Sequence, residues 1–492
     1  MRRFAPAFAI ASGFVLALSN AAYGSVGPVS VASGPSPYAT CTADAGTGTI
    51  YVNAEVEPQL AVNPTNHSNV IAAWQQDRWS NGGAHGLVAG YSFDGGTTWG
   101  ETTLPFSRCA PGGALYNRAS DPWVSIGPDG TAYANAISFE AVSNRNAVLA
   151  ATSSDGGQTW TNLKTVVAYE TNGGQFSTDK NSITANPVRA GVAYSVWDTL
   201  ISKTDNPDDH PHTSAYTGPA YFSRTTDGGK TWSTPQVIFT TDQQNQTIGN
   251  IIVVDPHHGG NTIYDFASWI VHPNSAANTQ TVAAVVKSTD GGLTWGVPVA
   301  IAQMQFVGVR DPNTGQGIRT GDIIPDPAID PATGQLYMVW QQASQFKRGN
   351  TKTSDDEIVI TTSTNGGKSW TTPHVINTFT GLPAFTPVVE VNSRGTVGVT
   401  YYDFRNLTPD NVTTLPTDYW FVSSSDKGAT FGNEQHVAGS FDMLTAPNAG
   451  GFFVGDYQGL AASGSSFVAG FVQANDGNTT NRTDVFATTI TA

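Results

Sequence analysis

The stretch SSDGGQTW, residues 153–160, decides the fold of this chain, because five variants of it occur elsewhere in the sequence. The other copies are SFDGGTTW (92–99), TTDGGKTW (225–232), STDGGLTW (288–295), STNGGKSW (363–370) and SSDKGATF (424–431). Their final aromatic residues follow one another at intervals of 61 to 75 residues. Self-similarity at a period of this size is typical of a propeller or an array.

A longer unit of four short strands surrounds each copy of the motif. In the first unit the strands start near Pro58, Val70 and Gly86, and the motif leads into the fourth. The first strand recurs at residues 122–127, 181–187, 250–256, 324–331, 387–392 and 457–462, which gives seven starts for six motifs. The seventh unit reaches the C-terminus after its third strand, and residues 49–52 are predicted to supply its outer strand. We therefore predict an all-β, seven-bladed β-propeller, with six blades as the alternative, whose ring closure removes exposed strand edges.

The N-terminus has the pattern of a secretory signal peptide. Arg2 and Arg3 precede an apolar run over residues 8–18, and small residues follow over 19–24. No later segment approaches the roughly 18 uninterrupted apolar residues that a membrane span needs. We predict a secreted protein, extracellular or periplasmic, with a signal peptide over 1–24, a lead with the closing strand over 25–56 and one propeller domain over 57–492.

Two cysteines, Cys41 and Cys109, fit an oxidising compartment. An even count in a secreted chain predicts one disulfide, and two unpaired buried thiols are the alternative.

The net charge of −15 argues against nucleic acid as a partner, because phosphates require a basic surface. A monomer without a cofactor is expected, and a structural Ca²⁺ near an Asp-rich loop is the one addition considered.

Turn chemistry explains the motif without any catalytic role. Its Asp carboxylate can accept hydrogen bonds from backbone N–H groups of the same hairpin. Its second Gly suits a backbone position with positive φ, and its aromatic residue can cover the apolar gap between neighbouring blades. The motif is therefore predicted to serve the scaffold.

With these motifs, which are Asp-boxes or bacterial neuraminidase repeats, the chain resembles the sialidase superfamily over essentially its whole mature length. The resemblance implies a propeller that acts on a glycan or polysaccharide. Such sialidases use an arginine triad for the substrate carboxylate, an Asp acid/base and a Tyr nucleophile assisted by Glu. Their first arginine stands in a Phe/Tyr-Arg-Ile-Pro motif, which this chain lacks, and they have six blades where seven units are counted here.

Propeller geometry selects the candidate site residues. The first strands line the channel, and the turns between second and third strands return to the ligand face, so the motif turns lie on the opposite face. Residues just before first strands and just after second strands are therefore the candidates. The predicted catalytic residues are Asp77, Asp121, Asp179, Asp322, Tyr402 and Asp456. The predicted substrate-binding residues are Arg78, Trp79, His85, Arg118, Arg319, Arg405 and Tyr457.

The chemistry of glycoside cleavage gives these residue types their roles. Cleavage uses two carboxyl groups, or a Tyr in place of one of them, and an Arg fork suits a sugar carboxylate. Tyr402 or Tyr457 is the candidate nucleophile, with Glu357 or Glu390 as its partner, and Glu57 and Lys180 also precede first strands. A long loop over 205–219 with Asp208, Asp209, His210 and His212 resembles a lid or a metal-binding loop.

The leading hypothesis is a secreted, exo-acting, sialidase-like glycoside hydrolase for an acidic terminal sugar. One alternative is a polysaccharide lyase, in which His85 or a Tyr removes the C5 proton of a uronic acid. The other is a non-catalytic carbohydrate-binding propeller. That protein would have several equivalent shallow sites between blades, whereas an enzyme would have one asymmetric polar pocket.

Overall fold

A computed structural model describes residues 24–43, 46–170, 175–202, 216–272, 279–344 and 355–492. The predicted signal peptide up to residue 23 and most of the predicted lid loop, including its Asp and His residues, lie outside the described residues. Within these ranges no helix has the length and apolar character needed to cross a bilayer. The regular structure consists of strands, with two short 3₁₀ turns at His257–Gly260 and Met443–Thr445.

Apart from a short parallel pair, Ile318–Arg319 with Phe452–Phe453, the described strands group into antiparallel units, called blades 1 to 7 in chain order. Blade 1 contains Ile50–Val62, Val70–Trp79, Ala84–Ser92 and Gly100–Leu104. Blade 2 contains Arg118–Ile126, Ala132–Phe139, Asn146–Ser153 and Thr161–Tyr169. Blade 3 contains Phe176–Ala185, Ala193–Ile201, Ala220–Thr225 and Gln236–Phe239. Blade 4 contains Gln246–Asp255, Thr262–Val271, Gln280–Ser288 and Val299–Met304. Blade 5 contains Asp326–Ile329, Leu336–Ala343, Asp356–Ser363 and His374–Val375. Blade 6 contains Ala384–Val391, Val397–Asp403, Pro416–Ser424 and Gly432–Asp442. Blade 7 contains Gly459–Ser463, Ser466–Ala474 and Thr483–Thr491.

The blades close into a ring around a central channel. The first strand of each blade contacts the first strand of the next, and that of blade 7 contacts that of blade 1. The outer strand of blade 7 comes from the N-terminal segments Ser25–Val26 and Ser30–Val31, which pair with the C-terminal strand. Both ends of the described chain therefore lie in one blade, and the predicted all-β propeller is confirmed.

The predicted source of the closing strand is wrong. Ile50 starts the first strand of blade 1, where it pairs with Trp79 of the same blade. Two register shifts, between Tyr51 and Glu55 and between Val56 and Gln59, bend this strand and let it continue along its own blade to the ligand face. The segment starting at Ser25 is left to complete blade 7.

The repeated motif forms the turn between third and fourth strands, as predicted. In the first copy, Asp94 accepts hydrogen bonds from the Thr98 amide at 2.8 Å and the Thr98 hydroxyl at 2.7 Å. The Thr98 side chain is the main cause that lowers the pKa of Asp94 to about 2. The motif aromatics pack between blades: Trp295 of blade 4 meets Phe222 of blade 3 edge-on at 5.1 Å. The motif therefore stabilises both the hairpin and the contact between blades.

The predicted disulfide joins Cys41 of the N-terminal lead to Cys109, which follows blade 1. We expect replacement of both cysteines by Ala to lower the free energy of unfolding by about 4 kcal/mol, because the bond closes a loop of 68 residues. Guanidinium denaturation of the variant and the wild type measures this difference. Wild-type protein treated with a reductant is the control and should match the variant; a difference below about 1 kcal/mol would contradict the expected contribution of loop closure.

Candidate active site at the channel mouth

A cavity of about 470 Å³ opens at the end of the channel opposite the motif turns. Asp179 of blade 3 and Ile248 of blade 4 form one side. The segments 307–310 and 317–324, which lead into blade 5, form another side, and Gly450 and Asp456 before blade 7 complete it. Residues before first strands or near their starts therefore converge here, as propeller geometry predicted. Four of the predicted site residues line this cavity: Asp179, Arg319, Asp322 and Asp456.

Two aromatic residues lie across the channel below this cavity. The rings of Trp123 and Tyr457 are 5.2 Å apart, and the Tyr457 hydroxyl of blade 7 donates to the Pro122 carbonyl of blade 2 at 3.3 Å. A separate cavity of about 340 Å³, lined mainly by apolar first-strand residues, lies at the other end of the channel. Both rings line a narrow gap that shares Ile324 and Asp456 with the upper cavity, so they form its floor.

Arg319 and Asp456 form an ion pair at the wall of the cavity. The Arg319 Nε donates to Asp456 Oδ1 at 3.1 Å, Nη2 donates to Oδ2, and Nη1 donates to the Ala449 carbonyl at 3.2 Å. Backbone pairing aligns the two segments, because Ile318–Arg319 runs parallel to Phe452–Phe453. Burial raises the pKa of Asp456, but Arg319 outweighs it and the net pKa is below the usual value. Asp456 is therefore an ionised carboxylate at the cavity.

Asp322 is the second carboxyl group with a shifted pKa in the same cavity. Burial is the main cause that raises its pKa to about 7, and the nearby carboxylates Asp356 and Asp456 add to the shift. The side chain is only partly buried, so it can meet a ligand in the cavity. At neutral pH and below, Asp322 can hold a proton and donate it.

Glu57 of blade 1 supports Asp456 from behind. It is 2% exposed and adopts a φ of 55° at the bulge of its strand. Its Oε1 accepts the Asp456 amide at 3.3 Å, and its Oε2 accepts from Gln75. Burial, then Asp121 and Asp456, raise its pKa to about 8. The signal for Glu57 in the sequence is its place just before the predicted first strand, equivalent to Asp121 and Lys180; in the structure all three lie within their first strands.

Three further charged residues, Asp121, Lys180 and Arg78, lie near Glu57 and Asp456. Asp121 is 8% exposed and accepts the Ser120 hydroxyl at 2.6 Å. Lys180 has its Nζ 3.4 Å from the centre of the Tyr457 ring. Arg78 is 2% exposed and donates to Gln75 Oε1 at 3.0 Å and the Gly83 carbonyl at 2.9 Å. These groups set the electrostatics of the site and do not line the cavity.

Asp77, Trp79, His85 and Arg118 form a separate cluster between blades 1 and 2. Asp77 is fully buried and binds His85 Nδ1 at 3.0 Å, and it accepts the Ser36 hydroxyl at 2.6 Å. The Arg118 guanidinium stacks on Trp79 at 4.3 Å and donates to Asn81 and Gly82. None of the four lines the cavity. Their arrangement ties the N-terminal lead to blade 1, which is a structural role.

Tyr402 and Arg405 also lie away from the cavity. Tyr402 is fully buried in an aromatic cluster with Phe385 and Tyr419, and its hydroxyl donates to the Val472 carbonyl at 2.8 Å. Arg405 binds Asp403 and Glu434, and Glu434 belongs to the outermost strand of blade 6. The position of Tyr402 does not suit a nucleophile, and that of Arg405 does not suit a substrate ligand.

The other predicted residues of a tyrosine mechanism, Tyr457, Glu390 and Glu357, also lie outside the lining of the upper cavity. Tyr457 is 5% exposed with its hydroxyl bound to Pro122. Glu390 lines the lower cavity, and Glu357 is 3% exposed and accepts from Asn377. The described residues also contain no group of three His, Cys, Asp or Glu side chains close enough to hold a metal ion.

Gly321 allows the segment before blade 5 to approach Asp456. Its φ is 62°, and a Cβ built there would lie 2.7 Å from the Cβ of Asp456 and meet its carbonyl oxygen. We expect Gly321→Ala to lower the free energy of unfolding by about 1–3 kcal/mol and to displace Arg319 from Asp456. Thermal melting with an activity assay checks this. Gly315→Ala is the matched control, because Gly315 has a φ of 75° with nothing within 4 Å; equal losses in the two variants would contradict the steric argument.

Comparison with known proteins finds remote structural likenesses only. An α-L-arabinanase of Penicillium chrysogenum matches with 11% identity and a TM-score of 0.48 over 94% of this chain and 98% of that one. The sialidase Hz136 from a Hadza microbial source matches with 14% identity and a TM-score of 0.46 over 85% and 73%. The intramolecular trans-sialidase of Ruminococcus gnavus matches with 14% identity and a TM-score of 0.41 over 89% and 95%. No family model and no curated protein matches the chain.

Proposed function

We propose that this protein is a secreted glycan-cleaving enzyme, a glycoside hydrolase that removes sugars at the cavity above Trp123 and Tyr457. One observation carries the proposal: two carboxyl groups in the same cavity have pKa values moved in opposite directions. The pKa of Asp322 is raised to about 7, whereas that of Asp456 is lowered. Such a separation is how enzymes assign an acid and a base to two carboxyl groups.

The roles of the two groups follow from their protonation. Asp322 gives its proton to the glycosidic oxygen, which leaves with the aglycone as an alcohol. Asp456, ionised and held by Arg319, attacks the anomeric carbon or takes a proton from the attacking water. In either case water supplies the oxygen and the protons that balance the products. The floor of the cavity favours entry of a chain end, which agrees with exo action.

The geometry of the cavity bears on three finer predictions: the tyrosine nucleophile, the lyase alternative and the acidic sugar. A tyrosine nucleophile is not supported, because Tyr402 and Tyr457 are buried with engaged hydroxyls. The lyase alternative needed His85 or a Tyr as base, and His85 lies in the cluster with Asp77 outside the cavity. A sialidase-like preference for an acidic sugar would require an arginine fork open to the substrate.

A glycan panel tests the proposed function directly. The wild-type protein is incubated with oligosaccharides and polysaccharides, and released reducing sugar, free sialic acid and absorbance from unsaturated uronates are followed. Release of reducing sugar without unsaturated product supports hydrolysis. Unsaturated product would establish a lyase instead, and no product from any glycan would remove the enzymatic proposal.

A carbohydrate-binding propeller is the second candidate, because two shallow grooves on the motif face are built alike. The groove near Asn162 in blade 2 has a volume of about 390 Å³ and the one near Asn433 in blade 6 about 380 Å³, and each follows a motif aromatic. Both asparagines have a φ of 51°, and Ser and Thr residues line both grooves. Binding of a glycan that survives Asp322→Asn but is lost in Asn162→Ala or Asn433→Ala would favour this candidate.

A further inference from the structure

We propose that Phe453 is a positioning residue for Asp456 and acts through Arg319, whose guanidinium it holds in place with the face of its ring. The proposal rests on the proposed function, because it concerns the carboxylate that serves there as nucleophile or base. Phe453 lies in the short strand Phe452–Phe453 before blade 7, and it does not line the cavity. An effect of its ring on catalysis therefore has to pass through another residue.

The Phe453 ring contacts Arg319 directly. The guanidinium carbon of Arg319 lies 4.5 Å from the centre of the ring, and the two residues are in register in the parallel strand pair. A guanidinium within about 6 Å of a ring centre is attracted by the negative face of the ring. The same guanidinium donates through Nε and Nη2 to the two oxygens of Asp456. The ring therefore restricts the position from which Arg319 reaches Asp456.

Arg78 of blade 1 lies over the same ring, with its guanidinium carbon 5.1 Å from the centre. Burial is the main cause that lowers the pKa of Arg78, and the nearby positive charge of Arg319 lowers it further. The negative face of the Phe453 ring offsets part of the repulsion between the two cations. Loss of this face would therefore increase the repulsion and loosen Arg319.

Hydrogen bonds on the far side of the two arginines close a loop of contacts around the ring. Arg78 donates to Gln75 Oε1 at 3.0 Å, and Gln75 Nε2 donates to Glu57 Oε2. Glu57 Oε1 accepts the amide of Asp456 at 3.3 Å, and the side chain of Asp456 binds Arg319. The ring is the apolar member of this loop, so it acts on the segment around Asp456 from two directions.

Phe453 is itself held firmly. Its side chain is fully buried and packs with Val56 and Ala449, and its amide donates to the Pro447 carbonyl at 3.0 Å. The Arg319 side chain, in contrast, is 37% exposed. A fixed ring can therefore limit the movement of a guanidinium that is partly open to solvent.

The ionisation of Asp456 reports the position of Arg319. Burial raises the pKa of Asp456, but Arg319 outweighs it, and Lys180 and Arg78 also lower the pKa. Other titratable groups that lie near Asp456 are Glu57, Asp322, Asp326 and Tyr457. All these groups stay the same in the variants below, so a change in the titration of Asp456 points to a change in Arg319.

Fluorinated phenylalanine at position 453 tests the proposal without removing the ring. A trifluorinated ring has nearly the size of the natural one, but its face is far less negative. It is introduced by nonsense suppression. The titration of Asp456 is followed by NMR in protein labelled with ¹³C at the Asp carboxyl groups, and its signal is assigned by its loss in Asp456→Asn. The pH dependence of glycan cleavage is measured alongside.

Phe453→Leu is the second variant, because it removes the aromatic face and keeps an apolar side chain. Phe467→Leu is the matched control. Phe467 is also fully buried, and it lies in the second strand of blade 7 away from the cavity. Thermal melting compares the loss of stability in the two Leu variants.

Both changes at position 453 should raise the midpoint of the Asp456 titration by about 0.5–1 pH unit, and the acidic limit of activity should move up with it. Phe467→Leu should keep the wild-type titration. A wild-type midpoint in the fluorinated protein, or an equal rise in Phe467→Leu, would overturn the proposal. Should the wild type cleave no glycan, the proposed function falls, whereas the Asp456 titration still decides the role of Phe453.

Discussion

Asp322→Asn is expected to lower kcat on the cleaved glycan by about 10²–10⁴-fold, because the amide cannot protonate the glycosidic oxygen. KM should change little, since the amide keeps the shape and most hydrogen bonds of the carboxyl group. The fold should persist, because Asp322 borders an open cavity. Released reducing sugar under saturating substrate measures the change. Asp410→Asn, on an exposed loop of blade 6, is the matched control and should keep wild-type activity.

The pH dependence of the same reaction separates the roles of the two carboxyl groups. The lowered pKa of Asp456 keeps it ionised down to below about pH 4, so activity should hold through mildly acidic pH. The pKa of Asp322 is raised to about 7, so activity should fall as pH rises through 7 and the acid loses its proton. The residual activity of Asp322→Asn should lack this alkaline fall. A wild-type profile that keeps rising above pH 8 would contradict the acid role of Asp322.

Asp265→Val is expected to stabilise the protein by about 1–3 kcal/mol at pH 7, the cost of a buried polar group without hydrogen bonds. Asp265 is 1% exposed in the second strand of blade 4, between Ile252 and Val286 of the neighbouring strands. Neither carboxylate oxygen has a hydrogen-bond partner among the described residues. Thermal or guanidinium unfolding measures the difference.

The stabilisation by Asp265→Val should depend on pH with a definite sign. Burial raises the pKa of Asp265 well above its usual value, so the folded protein retains a proton that the unfolded chain releases above about pH 4. Wild-type stability is therefore lost as pH rises above that value, and the advantage of the variant should grow from pH 4 to pH 8. Asp265→Asn removes the titrating carboxyl group but keeps a buried polar group. Its stability relative to the wild type should therefore also grow from pH 4 to pH 8, with a smaller gain at each pH than for Asp265→Val. A constant advantage at all pH values would contradict the buried acid.

The fold was predictable because its signal is local and repeated. Each motif closes its own hairpin through hydrogen bonds within five residues, such as those between Asp94 and Thr98. Six copies then give the period of the blades. The closing strand was not predictable in this way, because the pairing of Ser25 with Thr491 joins opposite ends of the chain.

The position of the candidate site in the ring was predictable from the sequence, but only some of its residues were. Arg319, Asp322 and Asp456 precede first strands and Asp179 lies near the start of one, and ring geometry alone brings such residues to one mouth. Which charges pair across the ring depends on bulges and close approaches, such as Gly321 against Asp456, that have no period in the sequence. Tyr402 and His85 satisfy the same positional rule, but they face the contacts between blades and are buried there.

Paired assays of wild type and Asp322→Asn on the glycan panel test the central claim most directly. The account predicts that the wild type releases reducing sugar from at least one glycan, and that the variant releases it about 10²–10⁴-fold more slowly while it melts at the same temperature. Equal rates in the two proteins, or a wild type that cleaves nothing on the panel, would contradict the assignment of this cavity as the active site of a glycoside hydrolase.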